Sequence, residues 1–155
     1  MKKNLFLVCL FMFGTLASCQ CSSKKSADNA VVNTTETPVP LGDPFILLHD
    51  GVYYAYGTHS NKGIEFYTSD DLLTWKYGGL ALNKEDSWAD RWFWAPEIYF
   101  VNGKFYMYYS ADEHICVAVA DSPTGPFVQD KKEPMIADEK CIDNSLFIDD
   151  NGTPY

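Results

Sequence analysis

The stretch DPFILLHDGVYYAYGT, residues 43–58, decides how the rest of this chain is interpreted. An apolar segment precedes an Asp-Gly pair, and an aromatic segment follows it. An Asp-Gly pair between two such segments is among the strongest short-range indications of a β-hairpin. Glycine suits the turn because it adopts positive φ without a steric cost. The stretch therefore predicts two antiparallel strands joined by a tight turn.

The same hairpin pattern occurs twice more along the chain. APEIYFVNGKFYMYYS begins at Ala95, DNSLFIDDNGTPY begins at Asp143, and each has an Asn-Gly pair at its turn. The turn glycines, Gly51, Gly103 and Gly152, follow one another at intervals of about 50 residues, a period typical of β-propeller blades.

The segments that follow the first two hairpins also correspond. GIEFYTSDDLLTWKY starts at Gly63 and HICVAVADSPTGPFV starts at His114. Each predicts an alternating strand, a turn with Ser and Asp, and an aromatic residue (Trp75 or Phe127) that opens a fourth strand. Four-stranded units at this period predict an all-β fold, a β-propeller of which residues 41–155 form about two blades and one hairpin. The alternative is a small two-sheet β-sandwich.

An open ring of blades would leave apolar faces and strand edges uncovered. A β-sandwich would need no such closure. On the propeller interpretation, we therefore expect the chain to be the N-terminal part of a longer protein.

The composition agrees with a β-rich domain and excludes one class of partner. Aromatic residues make up 15% of the 155 residues, which favours a β core and also suits carbohydrate binding. The net charge is -9, and the first 18 residues contribute two Lys and no acid. A chain this acidic repels phosphate backbones, so we expect no nucleic-acid partner.

The N-terminus has the layout of an export signal. Lys2 and Lys3 precede a short apolar stretch, and LASC at residues 16–19 resembles the bacterial lipoprotein signal. We expect a signal peptide over residues 1–18, lipid attachment at Cys19 and a flexible tether over residues 19–40, rich in Ser, Thr and Asn. The protein would then be exported and lipid-anchored to a bacterial membrane, facing the periplasm or the cell surface. The alternative is an ordinary secretory signal with an incidental Cys.

Two cysteines lie in the globular part. Cys116 and Cys141 could pair in an oxidising environment, or they could be small buried apolar residues. They lack the neighbouring ligands that would indicate a zinc site.

Candidate site residues stand where the repeats differ from one another. The opening positions hold Asp43, Ala95 and Asp143, and equivalent positions of successive blades come to similar heights around one axis. We therefore expect Asp43 and Asp143 to face one central cavity. Such a pair can perform acid–base chemistry or bind a cation, or each Asp can cap its own strand.

Three aromatic residues precede Ala95. We expect Trp92 and Phe93 to pack between blades and Trp94 to face the cavity, where its flat apolar surface suits a sugar ring. Glu97 shares the orientation of Ala95 and is expected to be a structural hydrogen-bond partner. His59, in the loop after the second strand, could bind substrate or could simply be solvated.

Five motifs resemble glycoside hydrolase family 43 in order and spacing. They are LGDPFILLHDGVYYAYGT, GIEFYTSDDLLTW, WAPEIYFVNGKFYMYYS, VAVADSPTGPF and IDNSLFIDDNGTPY, and the resemblance extends over about residues 39–155. The resemblance implies a five-bladed propeller that hydrolyses arabinose- or xylose-containing oligosaccharides or polysaccharides with inversion of configuration. It implies no required cofactor. Many members hold a calcium ion near the axis, but no ligand set is visible in this sequence.

The resemblance also implies roles for individual residues. Asp43 would be the general base, and Asp143 would raise the pKa of the general acid and orient it. Trp94 would contact the sugar. The general acid is a Glu in a later blade that matches no position here, so we expect the chain alone to be inactive. Asn144 stands where many members have Pro.

Two other functional classes share parts of this pattern. A non-catalytic carbohydrate-binding propeller lipoprotein would have the same fold and aromatic residues without a general acid. A protein-interaction propeller would gain nothing from paired Asp residues.

Overall fold

Residues 38–155, described in a computed structural model, form two antiparallel sheets. The first sheet consists, in spatial order, of β1 (Gly42–His49), β2 (Val52–Thr58), β3 (Gly63–Ser69) and β4 (Lys76–Asn83). The second consists of β5 (Trp94–Val101), β6 (Lys104–Ala111) and β7 (His114–Ala120). One short 3-10 turn, Lys84–Asp86, lies between the sheets in sequence, and no helix within residues 38–155 is long and apolar enough to cross a membrane.

The predictions for the N-terminus lie outside the described residues. They comprise the signal peptide over residues 1–18, lipid attachment at Cys19 and nearly all of the tether over residues 19–40. They stay predictions.

The first two hairpin turns are as predicted. Asp50 and Gly51 have φ values of 48° and 79°, and Asn102 and Gly103 have 50° and 79°. Positive φ at both central residues is the two-residue turn whose twist matches that of the flanking strands. The strand pairs His49–Val52 and Val101–Lys104 close directly on these turns.

The third hairpin closes on a different turn from the predicted two-residue one. Asp149 accepts hydrogen bonds through its backbone oxygen from the Gly152 amide (2.9 Å) and through Oδ1 from the Asn151 and Thr153 amides (2.9 and 2.8 Å). Only Gly152 of the Asn-Gly pair has positive φ. The Asp149 carboxylate thus favours a longer, three-residue loop, because it supplies acceptors that a two-residue turn would not need.

The predicted fourth strand of the second unit is wrong. Phe127 and Val128 make only isolated bridges, to Leu82 of β4 and Val119 of β7 respectively. The following segment, QDKKEPMIADEK (residues 129–140), is charged, carries a Pro and does not alternate, so it offers no apolar face to a sheet. Phe127 is instead fully buried, and its amide donates to the Ala81 oxygen at 2.8 Å.

The core lies between the two sheets. Along β6 the buried residues Phe105, Met107 and Tyr109 alternate with half-buried ones, which is the period of a strand with one covered face. Tyr56 of β2 is fully buried, and its hydroxyl donates to the Pro123 oxygen (2.5 Å) of the second unit. Burial raises the pKa of Tyr56. Each large side chain buried here contributes about 1.5–3 kcal/mol.

Both globular cysteines are free thiols in this structure. Cys116 is buried among apolar residues, and Cys141 is partly exposed. Burial raises the pKa of the Cys116 thiol to about 11, which keeps it protonated and unreactive at neutral pH.

Candidate active site

The opening residues of the three repeats line one cleft. The cleft has a volume of about 230 Å³ and lies where β1, β5 and the third hairpin begin. Its walls are formed by Asp43, Pro44, Phe45, Ala95, Pro96, Glu97, Asp143 and Asn144. Asp43 and Asp143 are both solvent-exposed at this cleft.

A backbone feature is shared by all three opening residues. Asp43, Ala95 and Asp143 have φ values of 46°, 42° and 60°, in the left-handed region that residues other than Gly rarely adopt. The strand register also shifts at the first two of these positions. A bulge of this kind redirects a side chain. Because the positive φ recurs in all three units, the fold itself imposes the backbone conformation.

Hydroxyl groups hold two of these opening residues from the preceding unit. Thr58, at the end of β2, accepts a hydrogen bond from the Ala95 amide at 3.1 Å. Ser110, near the end of β6, accepts one from the Asp143 amide, also at 3.1 Å. Successive units are therefore joined at the cleft by the same kind of contact.

The two Asp carboxylates differ in their partners. Thr58 Oγ1 donates to Asp43 Oδ2 at 3.1 Å. No side chain within residues 38–155 donates to the Asp143 carboxylate. Asp43 is thus held by a neighbouring side chain, whereas Asp143 is held through its backbone amide.

Glu97 joins the second unit to the third hairpin. Its Oε2 accepts hydrogen bonds from the Tyr99 hydroxyl and from the Leu146 amide, the latter at 3.3 Å. Burial, together with the hydrogen bond to Glu97 and its negative charge, raises the pKa of Tyr99 to about 12. These contacts are those of a structural hydrogen-bond partner, the role predicted from the sequence.

Comparison with known proteins identifies the family of the chain. The family model described as "Glycosyl hydrolases family 43" matches residues 35–155, which include every residue of both sheets. The chain belongs to glycosyl hydrolase family 43. The resemblance inferred from the five motifs is confirmed.

Relatives within family 43 are similar over about three quarters of the chain. A xylosidase/arabinosidase 43A of Humicola insolens is 40% identical over 143 residues, covering 77% of this chain and 43% of that protein. A crystal structure of an endo-1,4-beta-xylanase from Bacteroides thetaiotaomicron is 50% identical with a TM-score of 0.71, covering 74% and 41%. A family 43 beta-xylosidase/alpha-arabinofuranosidase from a compost metagenome, solved with xylotriose, is 30% identical with a TM-score of 0.60, covering 74% and 41%.

These matches define the fold. The solved family 43 relatives are five-bladed β-propellers, so the two sheets are propeller blades and the β-sandwich alternative is wrong. The chain spans about two fifths of the length of the three relatives described above.

A second, smaller cleft adjoins the first and holds the other predicted site residues. Its volume is about 140 Å³, and it is lined by Thr58, His59, Ser60, Asn61, Trp92, Phe93 and Trp94. Trp94 lies here, one residue before Ala95 of the first cleft. His59 is half-exposed, and its Nδ1 lies 2.6 Å from Glu65 Oε2, so Glu65 orients the ring.

The prediction that Trp92 packs between blades is wrong. Trp92 is 43% exposed and stacks on Trp94, with ring centroids 5.8 Å apart and planes 11° from parallel. The Arg91 guanidinium covers Trp92 at 4.3 Å while pairing with Asp112 at 2.7 Å. An aromatic partner and a cation stabilise an exposed ring without burying it. Phe93 is buried, as expected.

Thr58 was not among the residues predicted for the site. A usable indication was present, because the first two repeats each have a hydroxyl residue near the end of the second strand, Thr58 and Ser110. No group of His, Cys, Asp and Glu within residues 38–155 has the arrangement of a metal site. A structural calcium ion therefore stays a suggestion of the family resemblance.

Proposed function

We propose that this chain supplies the first blades of a propeller that hydrolyses glycosidic bonds in arabinose- or xylose-containing saccharides. The observation that carries the proposal is the cleft shared by Asp43 and Asp143, with Trp94 in the adjoining cleft. Family 43 membership supports glycoside hydrolysis. The relatives named xylosidase/arabinosidase and the relative with bound xylotriose support the sugar class.

In the proposed mechanism, Asp43 is the general base of an inverting reaction. It takes a proton from a water molecule as that water attacks the anomeric carbon, while a protonated carboxyl group gives its proton to the leaving oxygen. The two carboxyl groups of such a pair lie about 6.5–9.5 Å apart, which leaves room for the water. The exposure of Asp43 to the cleft supports this role, because a solvated carboxylate is available as a base.

The general acid is proposed to be a Glu elsewhere in the complete propeller. No Glu of this chain matches the family's position, and Glu97 is already engaged by Tyr99 and Leu146. Asp143 is proposed to lie close to the acid. Its negative charge would raise the acid's pKa, because two like charges at short range disfavour ionisation of both.

We further propose that the protein is exported and attached to a membrane through lipid on Cys19. The basic start, the short apolar stretch and the LASC motif support this placement. Metabolic labelling with a radioactive fatty acid tests it. The label should enter the wild-type protein and be absent from Cys19→Ala, whereas equal labelling of both would contradict the proposal.

The activity is tested on the complete gene product with 4-nitrophenyl α-L-arabinofuranoside and 4-nitrophenyl β-D-xylopyranoside, and with the β-D-glucopyranoside as control. Release of nitrophenol from either of the first two substrates supports the proposal. Proton NMR of the first sugar released should show the inverted anomer. Saccharide binding without hydrolysis would identify a carbohydrate-binding propeller and would contradict the proposal, and a retained anomer would contradict the mechanism.

A further inference from the structure

Thr58 occupies a junction between the two blades and the cleft. It is the last residue of β2, it pairs in register with Gly42, and it therefore lies beside Asp43. It also lines the adjoining cleft together with Trp94. No other side chain within residues 38–155 donates a hydrogen bond to the Asp43 carboxylate.

The hydrogen bonds of Thr58 have a fixed direction. A backbone N–H can only donate, so Thr58 Oγ1 accepts from the Ala95 amide (3.1 Å) with one of its lone pairs. A hydroxyl group has a single proton, and a carboxylate can only accept. The Thr58 proton is therefore directed to Asp43 Oδ2, 3.1 Å away.

This arrangement distinguishes the two oxygens of Asp43. Oδ2 is engaged by Thr58, whereas no protein donor among residues 38–155 is assigned to Oδ1. A hydrogen bond to a charged acceptor is stronger than one between neutral groups. Such a bond restricts the rotamers of the carboxylate and leaves Oδ1 as the oxygen without a donor among these residues.

In the second blade, Ser110 is equivalent to Thr58 but makes only one of its two contacts. Ser110 accepts from the Asp143 amide just as Thr58 accepts from the Ala95 amide, so the tie to the next unit is common to both blades. The opening residue beside Ser110, however, is Ala95, which has no carboxylate. Of these two hydroxyl groups, that of Thr58 alone bonds a carboxylate. The contact with the amide of the next unit therefore does not require the bond to a carboxylate.

We propose that Thr58 is a positioning residue that orients Asp43 for its action as general base. The proposal rests on the function proposed above. The β-branched Thr side chain suits the task, because its χ1 is more restricted than that of Ser and its hydroxyl is held by the Ala95 amide.

The test compares Thr58→Val, which keeps the shape and removes the hydroxyl, with Thr58→Ser, which keeps the hydroxyl. Thr58→Ala is a second variant without the hydroxyl, should the valine variant fail to fold. Thr68→Val in β3 is the matched control, because Thr68 pairs with Tyr54, far along the blade from Thr58. All are made in the complete gene product and assayed for kcat and KM on the aryl glycoside that the wild type cleaves.

We expect Thr58→Val to lower kcat about 10- to 100-fold, the worth of a hydrogen bond to a charged group, with little change in KM. Thr58→Ser should restore most of kcat, and Thr68→Val should match the wild type. A Thr58→Val enzyme that is less heat-stable but has wild-type kcat per folded molecule would show that Thr58 only ties the blades together, and would overturn the proposal.

Crystal structures of the variants test the role of Thr58 independently of the proposed activity. Should the wild type cleave no glycoside, the proposed function fails, but crystal structures of the variants still test Thr58. The Asp43 side chain should hold one rotamer in the wild type and in Thr58→Ser, and should change or multiply its rotamers in Thr58→Val. An unchanged Asp43 rotamer in Thr58→Val would overturn the positioning role.

Discussion

Asp43 and Asp143 share a left-handed backbone conformation that the neighbouring sequence does not predict. Left-handed backbone costs an ordinary residue roughly 1–2 kcal/mol, and Asp tolerates it better than most because its side chain bonds locally. Ala95 adopts the same conformation with no such compensation. The conformation therefore follows from the place in the blade and not from the residue type.

Part of the site could be predicted at the level of single residues because the hairpins repeat along the chain. Aligning the hairpins identifies Asp43, Ala95 and Asp143 as equivalent, and the structure brings all three to one cleft. The recurring hydroxyl residue could have indicated Thr58, but its bond to Asp43 depends on the register shift between Gly42 and Phe45, which leaves no sequence pattern. The exposure of Trp92 was missed because periodicity does not reveal a stacking cation such as Arg91.

Glu97 provides a pH-dependent test at the residue scale. Replacing Glu97 by Gln removes a negative charge beside the Tyr99 hydroxyl while keeping an acceptor oxygen. Burial, the largest cause of the raised pKa, remains in this variant, but the negative neighbour that also disfavours the phenolate is gone, so we expect the pKa of Tyr99 to fall part of the way from about 12 toward its ordinary value of 10.0. NMR of tyrosines labelled with ¹³C at Cζ, recorded through an alkaline titration, measures the change.

The sign of the effect on stability follows from the same shift. Because the pKa of Tyr99 is higher in the folded protein, its contribution is complete below pH 10 and is lost as the pH rises toward 12. In Glu97→Gln this alkaline loss of stability should occur over a narrower pH range, because the pKa of Tyr99 in the folded protein lies closer to 10.0. Glu85→Gln, at the exposed residue of the 3-10 turn, is the control. An unchanged Tyr99 titration in Glu97→Gln would contradict the contact.

At the scale of elements, the three hairpins show what a turn motif can and cannot predict. Asp-Gly and Asn-Gly gave two-residue turns after β1 and β5, where the neighbouring residues supply no competing acceptor. In the third hairpin the same Asn-Gly pair belongs to a longer loop, because Asp149 bonds the amides of Asn151 and Thr153. The hairpin was predictable from the Asn-Gly pair, but the length of its loop is set by the side chain of Asp149, two residues before that pair.

Asp149→Ala tests that explanation. The amides of Thr153 and Asn151 hold the pKa of Asp149 below its ordinary value of 3.8, so the ionised carboxylate stabilises the loop. The contribution is present above pH 3.8 and is lost as the pH falls through the lower folded value. We expect hydrogen exchange at Asn151 and Thr153 to become several-fold faster in Asp149→Ala.

The neighbouring Asp150 offers a matched control for this change. Asp150 is exposed and makes no side-chain hydrogen bond among the bonds described for residues 38–155. Asp150→Ala should leave the exchange of both amides unchanged. Equal acceleration in the two variants would show that general charge, and not the Asp149 bonds, protects the loop.

Close packing of β1 against β2 gives a further prediction. A Cβ at Gly57 would lie 2.6 Å from the Gly42 oxygen and 2.8 Å from Leu41 Cβ, closer than atoms can approach. Gly57→Ala must therefore displace the start of β1, and with it Asp43. We expect a loss of about 1–3 kcal/mol in the free energy of unfolding, measured by urea denaturation.

Gly42 provides the control for this substitution. A Cβ at Gly42 would meet its nearest atom, the Thr58 oxygen, at 3.5 Å, an ordinary contact. Gly42→Ala should therefore change the unfolding free energy much less than Gly57→Ala. Similar losses in the two variants would mean that the close approach is not what requires Gly57.

At the scale of the whole molecule, apolar surfaces lie on both sides of the two blades. Ile46 and Leu48 of β1 are 49% and 57% exposed, and Phe147 and Ile148 of the third hairpin are 65% and 55% exposed. Large apolar patches on a protein surface are usually contact surfaces. In a five-bladed family, we expect neighbouring blades to cover them. The repeat predicts the units, but it does not predict which residues cover these exposed faces.

Asp43 is proposed to act as the general base of a glycoside hydrolase. The most direct measurement is kcat of Asp43→Asn in the complete gene product, compared with Asp50→Asn. Asp50 is exposed in a hairpin turn, where Asn fits equally well, as Asn102 shows in the second blade. We predict a loss of about 10²- to 10⁴-fold for Asp43→Asn and no change for Asp50→Asn. Wild-type kcat in a folded Asp43→Asn enzyme would contradict the claim.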